Sequence, residues 1–332
     1  MIQRTKLPTK NKGFDLQVKQ LPGKGLAGRF LIPPFSVLST REGGWQNRKR
    51  QWIAIGIQSE IGRKDDLTIS GQAASFDYYR VKEGTRKPIK KVDGLTFRST
   101  GFMADIIAQR GGGTSIFDPV LCELMYAWFC PEGGQIVDPF AGGSVRGIVA
   151  GMMGYKYHGI DPSEKQIEAN EEQRKKICPE ADLTWICGDA MEELNEAPTA
   201  DFIFSCPPYG DLERYSDDPS DLSTMEYYTF IAAYKRIIRR CIKKLKPGCL
   251  ACFVVGDFRD KKTGNYRGFV ADTIKAFQEC GAELYNDAIL VTCVGSLPIR
   301  AGRQFEVGRK LGKTHQNILV FKKKWEIQKQ CK

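Results

Sequence analysis

The chain predicts an α/β fold, a largely parallel sheet wound with helices, and three observations carry that prediction. From residue 113 onward, apolar segments of strand length alternate with helical segments. The first, Gly134-Gln135-Ile136-Val137, runs into a glycine-rich turn, Asp138-Pro139-Phe140-Ala141-Gly142-Gly143. A later one, Phe202-Ile203-Phe204-Ser205, runs into Cys206-Pro207-Pro208-Tyr209. Open α/β sheets bind ligands at the carboxyl ends of their strands, so both turns are candidate site elements.

The elements follow in order. Ile136-Val137-Asp138 is the first strand and Val145 to Ala150 the helix after it. Tyr155 to Ile160 is the second strand, ending at Asp161. Ser163 is placed to cap a helix that carries Glu164 to Lys175. Leu183 to Cys187, Phe202 to Ser205 and Leu250 to Val255 give three more strands. A long helix from about Met225 to Leu245 precedes the last of these, with Lys246-Pro247-Gly248 as its stop signal. A helix over Phe269 to Cys280 and strands at Ala288 to Val294 and Asn317 to Phe321 complete seven strands. Gly295 to Gln316 reads as a long basic loop, with Arg300, Arg303, Arg309, Lys310 and Lys313, of a length that usually signals function.

Residues 1–112 differ in character and read as a basic N-terminal extension to a 113–332 domain. Trp45-Gln46-Asn47-Arg48-Lys49-Arg50-Gln51-Trp52 interleaves cations with tryptophans. Such a stretch either binds phosphates and stacks on bases or packs a cationic helix on the main domain.

Composition narrows the function. The 332 residues are 42% hydrophobic with a net charge of +11, a balance that favours a polyanionic partner. No apolar run is long enough to span a membrane and the N-terminus lacks a signal-peptide core, so a cytoplasmic protein is expected. The eleven cysteines are scattered and odd in number, which favours reduced thiols over a disulfide framework. Cys249 and Cys252 fall in a strand, where residues three apart face opposite ways, and only His158 and His315 are available as imidazoles. No metal is expected.

Each turn has a physical logic. Glycines after a strand let the backbone approach a ligand, here beside Gly142 and Gly143. Consecutive prolines have no backbone N–H and fixed φ, so their carbonyls stand clear of any ladder and can accept hydrogen bonds from an amine. Tyr209 offers a face for a planar base.

The glycine turn followed by the Pro-Pro-aromatic turn resembles the cofactor and catalytic motifs of the S-adenosylmethionine-dependent nucleic-acid amino-methyltransferases, over about Ser115 to Lys323. The wording of Asp-Pro-Phe-Ala-Gly-Gly-Ser-Val-Arg-Gly, Cys-Pro-Pro-Tyr-Gly-Asp-Leu-Glu and Val-Gly-Ser-Leu-Pro-Ile-Arg is most similar to phage-encoded DNA methylases, which commonly protect phage DNA from host nucleases. The resemblance implies a Rossmann-like class I methyltransferase fold, three-layer αβα with a mixed seven-stranded sheet. It implies S-adenosylmethionine as cofactor and double-stranded DNA with base flipping as substrate.

Residue by residue, it implies cofactor contacts at Asp138, Phe140, Ala141, Gly142, Gly143, Ser144 and Ser205. Asp161 matches the acid that accepts the ribose hydroxyls, and Asp189 with Ala190 the segment at the adenine. Phe117 and Pro119 match a Lys-Pro-x-x-Leu segment over the methionine moiety, with Asp118 in place of the basic residue. Cys206, Pro207, Pro208 and Tyr209 match the catalytic motif. Cys206 departs from the usual Asp, Asn or Ser, so the amine's acceptors would be the Pro207 carbonyl, Ser205 or Asp211. A Cys206 nucleophile acting on a pyrimidine carbon is the alternative. Methylation of RNA or of a protein amide, and a DNA-binding protein without transfer, are the others. Trp45, Arg48, Lys49, Arg50, Arg300, Arg303, Arg309 and Lys310 are the candidate nucleic-acid contacts. Oligomeric state is left open.

Overall fold

The computed structural model describes residues 26–58, 117–209, 225–292, 294 and 297–325, save the side chains of 299 and 300. In chain order its elements are α1 (Leu26–Phe30), β1 (Val37–Ser39), α2 (Gly43–Ala54), α3 (Pro119–Phe129), β2 (Gln135–Asp138) and α4 (Val145–Met152). There follow β3 (Lys156–Asp161), α5 (Glu164–Ile177), β4 (Leu183–Cys187), α6 (Ala190–Glu193), β5 (Ala200–Ser205) and α7 (Tyr227–Lys244). The last are β6 (Leu245–Val255), α8 (Phe269–Glu279), β7 (Ala282–Val291), α9 (Leu297–Gly308) and β8 (His315–Lys323).

The eight strands form one mixed sheet in the order β1-β7-β8-β6-β5-β2-β3-β4. Within it β2 lies between β3 and β5, parallel to both, and β8 enters antiparallel between β6 and β7. Chain order therefore runs outward from β2 through β3 to β4 on one side, then restarts at β5 on the other. The crevice between the ends of β2 and β5 is the switch point at which such sheets bind ligands.

Both faces of the sheet are covered. Along β5, Phe202 and Phe204 enter one core with Tyr126 of α3 and Ile148 of α4. Ile203 points to the other side, into a core with Phe230 and Tyr234 of α7 and Phe277 of α8. Burial on both faces is why this strand reads as an unbroken apolar run rather than an alternating one. Helix starts are fixed by side-chain caps: Asp118 accepts the Val120 N–H at 3.0 Å, Ser163 that of Gln166 at 3.4 Å, and Asp189 that of Met191 at 2.8 Å.

The structure corrects several expectations. The sheet has eight strands rather than seven, because Val37–Ser39 pairs in parallel with β7 at Ile289 to Val291. Residues 26–58 pack on the domain: Leu38, Trp45, Trp52 and Ile57 belong to the same core as α3. The basic stretch before β8 is largely helix α9 rather than loop. It escaped notice because none of its described side chains is buried to mark an apolar face. β7 starts at Ala282, earlier than its most apolar portion implies, since Glu283 to Asp287 are exposed on a strand that is still hydrogen-bonded to β8. α7 ends at Lys244, and Lys246-Pro247-Gly248, expected only to stop it, lies inside β6, which begins at Leu245 rather than Leu250. The nine described cysteines are all reduced thiols, and among the described residues no helix is long and apolar enough to cross a membrane.

Candidate active site

Asp138 closes β2 with its carboxylate fully buried. One oxygen accepts the Phe140 N–H at 3.1 Å and the Ser205 hydroxyl at 2.5 Å. The other accepts Arg146 Nε at 2.5 Å and the Tyr157 hydroxyl at 2.8 Å. Four donors occupy the places a carboxylate has for them, and through them Asp138 ties the Phe140, Arg146, Tyr157 and Ser205 positions together. Burial alone would lower the Arg146 pKa, but Asp138 beside it carries the guanidinium above its ordinary value. Burial, then Asp138, pushes the Tyr157 phenol up. Both therefore stay protonated donors.

Arg146 also donates to the carbonyls of Phe140 and Ala141, the latter at 2.9 Å, and its guanidinium lies 4.8 Å from the centre of the Phe117 ring. The glycine turn is thus held from beneath. At its apex Gly142 has φ of +51°, a left-handed conformation that a glycine adopts at no steric cost. Its N–H donates to Asp161 Oδ2 at 3.0 Å, and its carbonyl accepts Asn170 Nδ2 at 2.8 Å. Gln166 in turn donates to Asn170 Oδ1 at 3.0 Å. Asp161 also accepts the Ser163 N–H at 2.9 Å. The acid at the end of β3, the start of α5 and the glycine turn are therefore one hydrogen-bonded unit.

The other expected cofactor residues divide. Ala141 is fully buried and Ser144 nearly so, while Phe140 is half-buried with its ring 6.1 Å from that of Tyr234. The Ser144 hydroxyl, at the start of α4, has no hydrogen-bond partner. An orphaned hydroxyl beside a ligand-sized turn is what a cofactor's polar atoms would satisfy. Asp189 and Ala190 begin α6, just past the end of β4. Phe117 packs edge-on to Phe204 at 5.7 Å, and Asp118, standing where a basic residue was anticipated, is paired with Lys49 at 3.0 Å.

On the β5 side, Ser205 is buried beneath half-buried Cys206. Pro207, Pro208 and Tyr209 follow without regular structure. The Tyr209 ring meets Phe258 and Phe269 edge-on at 6.3 and 6.1 Å, and its hydroxyl accepts Gln316 Nε2 at 2.7 Å. Asp211 lies outside the described residues.

Of the N-terminal candidates, Trp45, Arg48 and Lys49 face the main domain and Arg50 is exposed. Trp45 is buried, and Trp52, also buried, donates to Glu123 at 2.9 Å. Arg48 forms a two-pronged pair with the same carboxylate. Lys49 is engaged by Asp118, and Arg50 bonds Asn47 on α2. Of the two readings of this stretch, the cationic helix packed on the main domain is the one adopted. Arg303 and Arg309 are exposed and Lys310 half-exposed, while the Arg300 side chain lies outside the described residues.

Sequence reasoning missed Arg146, Asn170, Gln166 and Gln316. Arg146 alone left a sequence trace, an arginine in an otherwise apolar helix start, Val145-Arg146-Gly147-Ile148.

No family model and no curated protein matches the sequence. Among solved structures, TrmN from Thermus thermophilus aligns with a TM-score of 0.42 and 14% identity over 62% of this chain and 49% of its own. A second Thermus thermophilus protein, provisionally named a DNA modification methylase, aligns with a TM-score of 0.32 and 22% identity over 44% of this chain and 54% of its own. An S-adenosylmethionine-dependent methyltransferase of Methanosarcina mazei aligns with a TM-score of 0.41 and 15% identity over 64% of this chain and all of its own. The chain spans about half the length of the first two. The α/β architecture itself stands on the strand order and register given above.

Proposed function

We propose that the protein transfers a methyl group from S-adenosylmethionine to the exocyclic amine of a base in DNA, adenine N6 or cytosine N4, with the base extruded from its duplex. The observation that carries this reading is the 2.5 Å hydrogen bond from the Ser205 hydroxyl to Asp138. It ties the glycine turn after β2 to the Pro-Pro-Tyr turn after β5, so the two halves of a transfer site meet at one crevice.

The residues present fit the cofactor. Gly142 lets a ligand approach the turn, Asp161 supplies a carboxylate beside it, and the Ser144 hydroxyl awaits a partner. When bound, S-adenosylmethionine supplies a methyl group activated by a sulfonium. The chain's own part is to place and polarise the acceptor. The Pro207 carbonyl, which a proline-proline turn holds rigidly, would accept the amine's hydrogens and draw its lone pair out of the ring. Tyr209, braced by Phe258 and Phe269, holds the base edge or face in register. Proximity and aligned dipoles carry such a transfer without a protein nucleophile.

Incubation with isotopically labelled S-adenosylmethionine and unmodified DNA, with RNA in parallel, followed by nucleoside mass spectrometry, tests this. Label on N6-methyladenine or N4-methylcytosine from DNA supports it. Label on a pyrimidine carbon, on RNA alone, or on neither nucleic acid rejects it.

A further inference from the structure

After β6 the chain leaves the sheet in a short hairpin before α8. Arg259 and Tyr266 bridge across it, and Asp260 and Asn265 pair through a 2.8 Å backbone bond. The Asp260 carboxylate is spent inside the turn: it accepts the N–H groups of Lys262 and Thr263 at 2.8 and 2.6 Å and pairs with Arg267 at 2.8 Å. The other acid of this segment, Asp257, accepts the Val270 N–H at 3.1 Å at the start of α8.

Cations from two distant parts of the chain gather on this hairpin. The Arg259 guanidinium lies 3.9 Å from the centre of the Tyr266 ring and donates to the Gly264 carbonyl at 3.0 Å. The Lys313 ammonium is 5.9 Å from the same ring. Gly264 has φ of +75°, the left-handed conformation that favours glycine in the turn, and the Lys310 side chain lies beside it. Lys262 at the tip is exposed. Burial holds the Lys313 ammonium pKa below its ordinary value, with the nearby Asp257 carboxylate acting the other way. The Tyr266 ring face attracts both Arg259 and Lys313.

The cluster adjoins the candidate site. At Gly256, the residue after β6, an added Cβ would lie 3.6 Å from Lys313 and 3.9 Å from both Gln316 and the Tyr209 hydroxyl. We propose that the Arg259–Tyr266 hairpin, braced on the segment from Arg309 to Lys313, is a phosphodiester-binding surface that holds the acceptor strand next to Tyr209. This rests on the nucleic-acid reading above and adds the Arg259–Tyr266 hairpin to the Arg309–Lys313 segment that the sequence had already marked.

Fluorescence anisotropy with a fluorescein-labelled duplex DNA and a labelled single-stranded RNA, over a salt series, tests it in the full chain. Lys262→Glu should weaken binding several-fold at low salt and reduce the salt slope by about one phosphate contact, close to 0.9 in log–log terms. Tyr266→Ala should do the same by dispersing Arg259 and Lys313, and Tyr266→Phe, which keeps the ring, should restore wild-type behaviour. Calorimetric titration of S-adenosylmethionine checks that each variant keeps its fold. If the wild type binds nucleic acid and both Lys262→Glu and Tyr266→Ala keep its affinity and slope, the surface is wrong while the substrate reading stands. If the wild type binds neither polymer, the nucleic-acid reading falls and this proposal with it.

Discussion

The indole N–H of Trp52 lies 2.9 Å from Glu123 Oε2, and the same carboxylate takes both prongs of the Arg48 guanidinium. Glu123 is 4% exposed, on a helix whose neighbours are otherwise apolar, so α2 and α3 are joined by one buried, fully engaged acid. Glu123→Ala should lower stability by about 3 kcal/mol, because it strands a charge and a donor in the interior. Glu123→Gln keeps an acceptor for Trp52 and should cost less. Equilibrium denaturation in urea reads both, and an unchanged midpoint for Glu123→Ala would refute the docking.

Asp161→Ala should weaken S-adenosylmethionine binding by about 1.5–3 kcal/mol, the range for hydrogen bonds to a charged group. Because Asp161 also holds the Gly142 and Ser163 N–H groups, Asp161→Asn should be intermediate, its amide oxygen still accepting from one of them. Isothermal calorimetry separates the three proteins; equal affinity in all would remove Asp161 from the site.

Cys206→Ser should remain active if transfer to an amine is direct, since serine preserves the shape of the strand end. A covalent route through the thiol would lose activity altogether, serine being a far poorer nucleophile near neutral pH. Tyr209→Ala should lose about 1–3 kcal/mol of acceptor binding, the scale of base–aromatic stacking. Tyr209→Phe, which keeps the ring and gives up the bond from Gln316, should lose less. Initial rates of label transfer over a range of DNA concentrations distinguish these outcomes.

His158, on β3, has a buried Nε2 without a partner. Burial, then the nearby Lys244 charge, lowers its pKa below the ordinary 6.5. Between the lowered value and 6.5 the unfolded chain binds a proton that the folded chain refuses. Stability should therefore be whole above that window and fall as pH drops through it. The His315 shift has the same sign, so the comparison of wild type with His158→Gln isolates the His158 share. Identical pH dependence of the denaturation midpoint in both proteins would contradict it.

The inner sheet was legible because β2, β3, β4 and β5 are short, strongly apolar and punctuated by turn residues, and the order of the two ligand-facing turns could be read with them. What escaped notice lacks that contrast. β1 has three residues of which only Leu38 is buried, too short to show a period. The tryptophans and cations of α2 look like a nucleic-acid surface in sequence because their partners, Glu123 and Asp118, lie some 70 residues away along the chain. Gln166, in the first turn of α5, and Asn170, one turn later, sit on a polar stretch, where only the fold shows that Asn170 reaches the glycine turn with Gln166 bonded to it.

The first strand of the sheet also imposes an order of events. Thr40, which follows β1, donates to the carbonyl of Val291, a residue 251 positions later. On the ribosome, Leu38 cannot take its place in the sheet until the chain has emerged through Val291, so that segment waits without its partner strand while the rest of the sheet is made. Loop closure over such a span is entropically expensive but grows only logarithmically with length, so docking is late rather than weak. Until β1 docks, β7 presents an open strand edge to other nascent chains. The N-terminal strand thus acts as the final seal on an assembly whose ligand-binding end can already be complete.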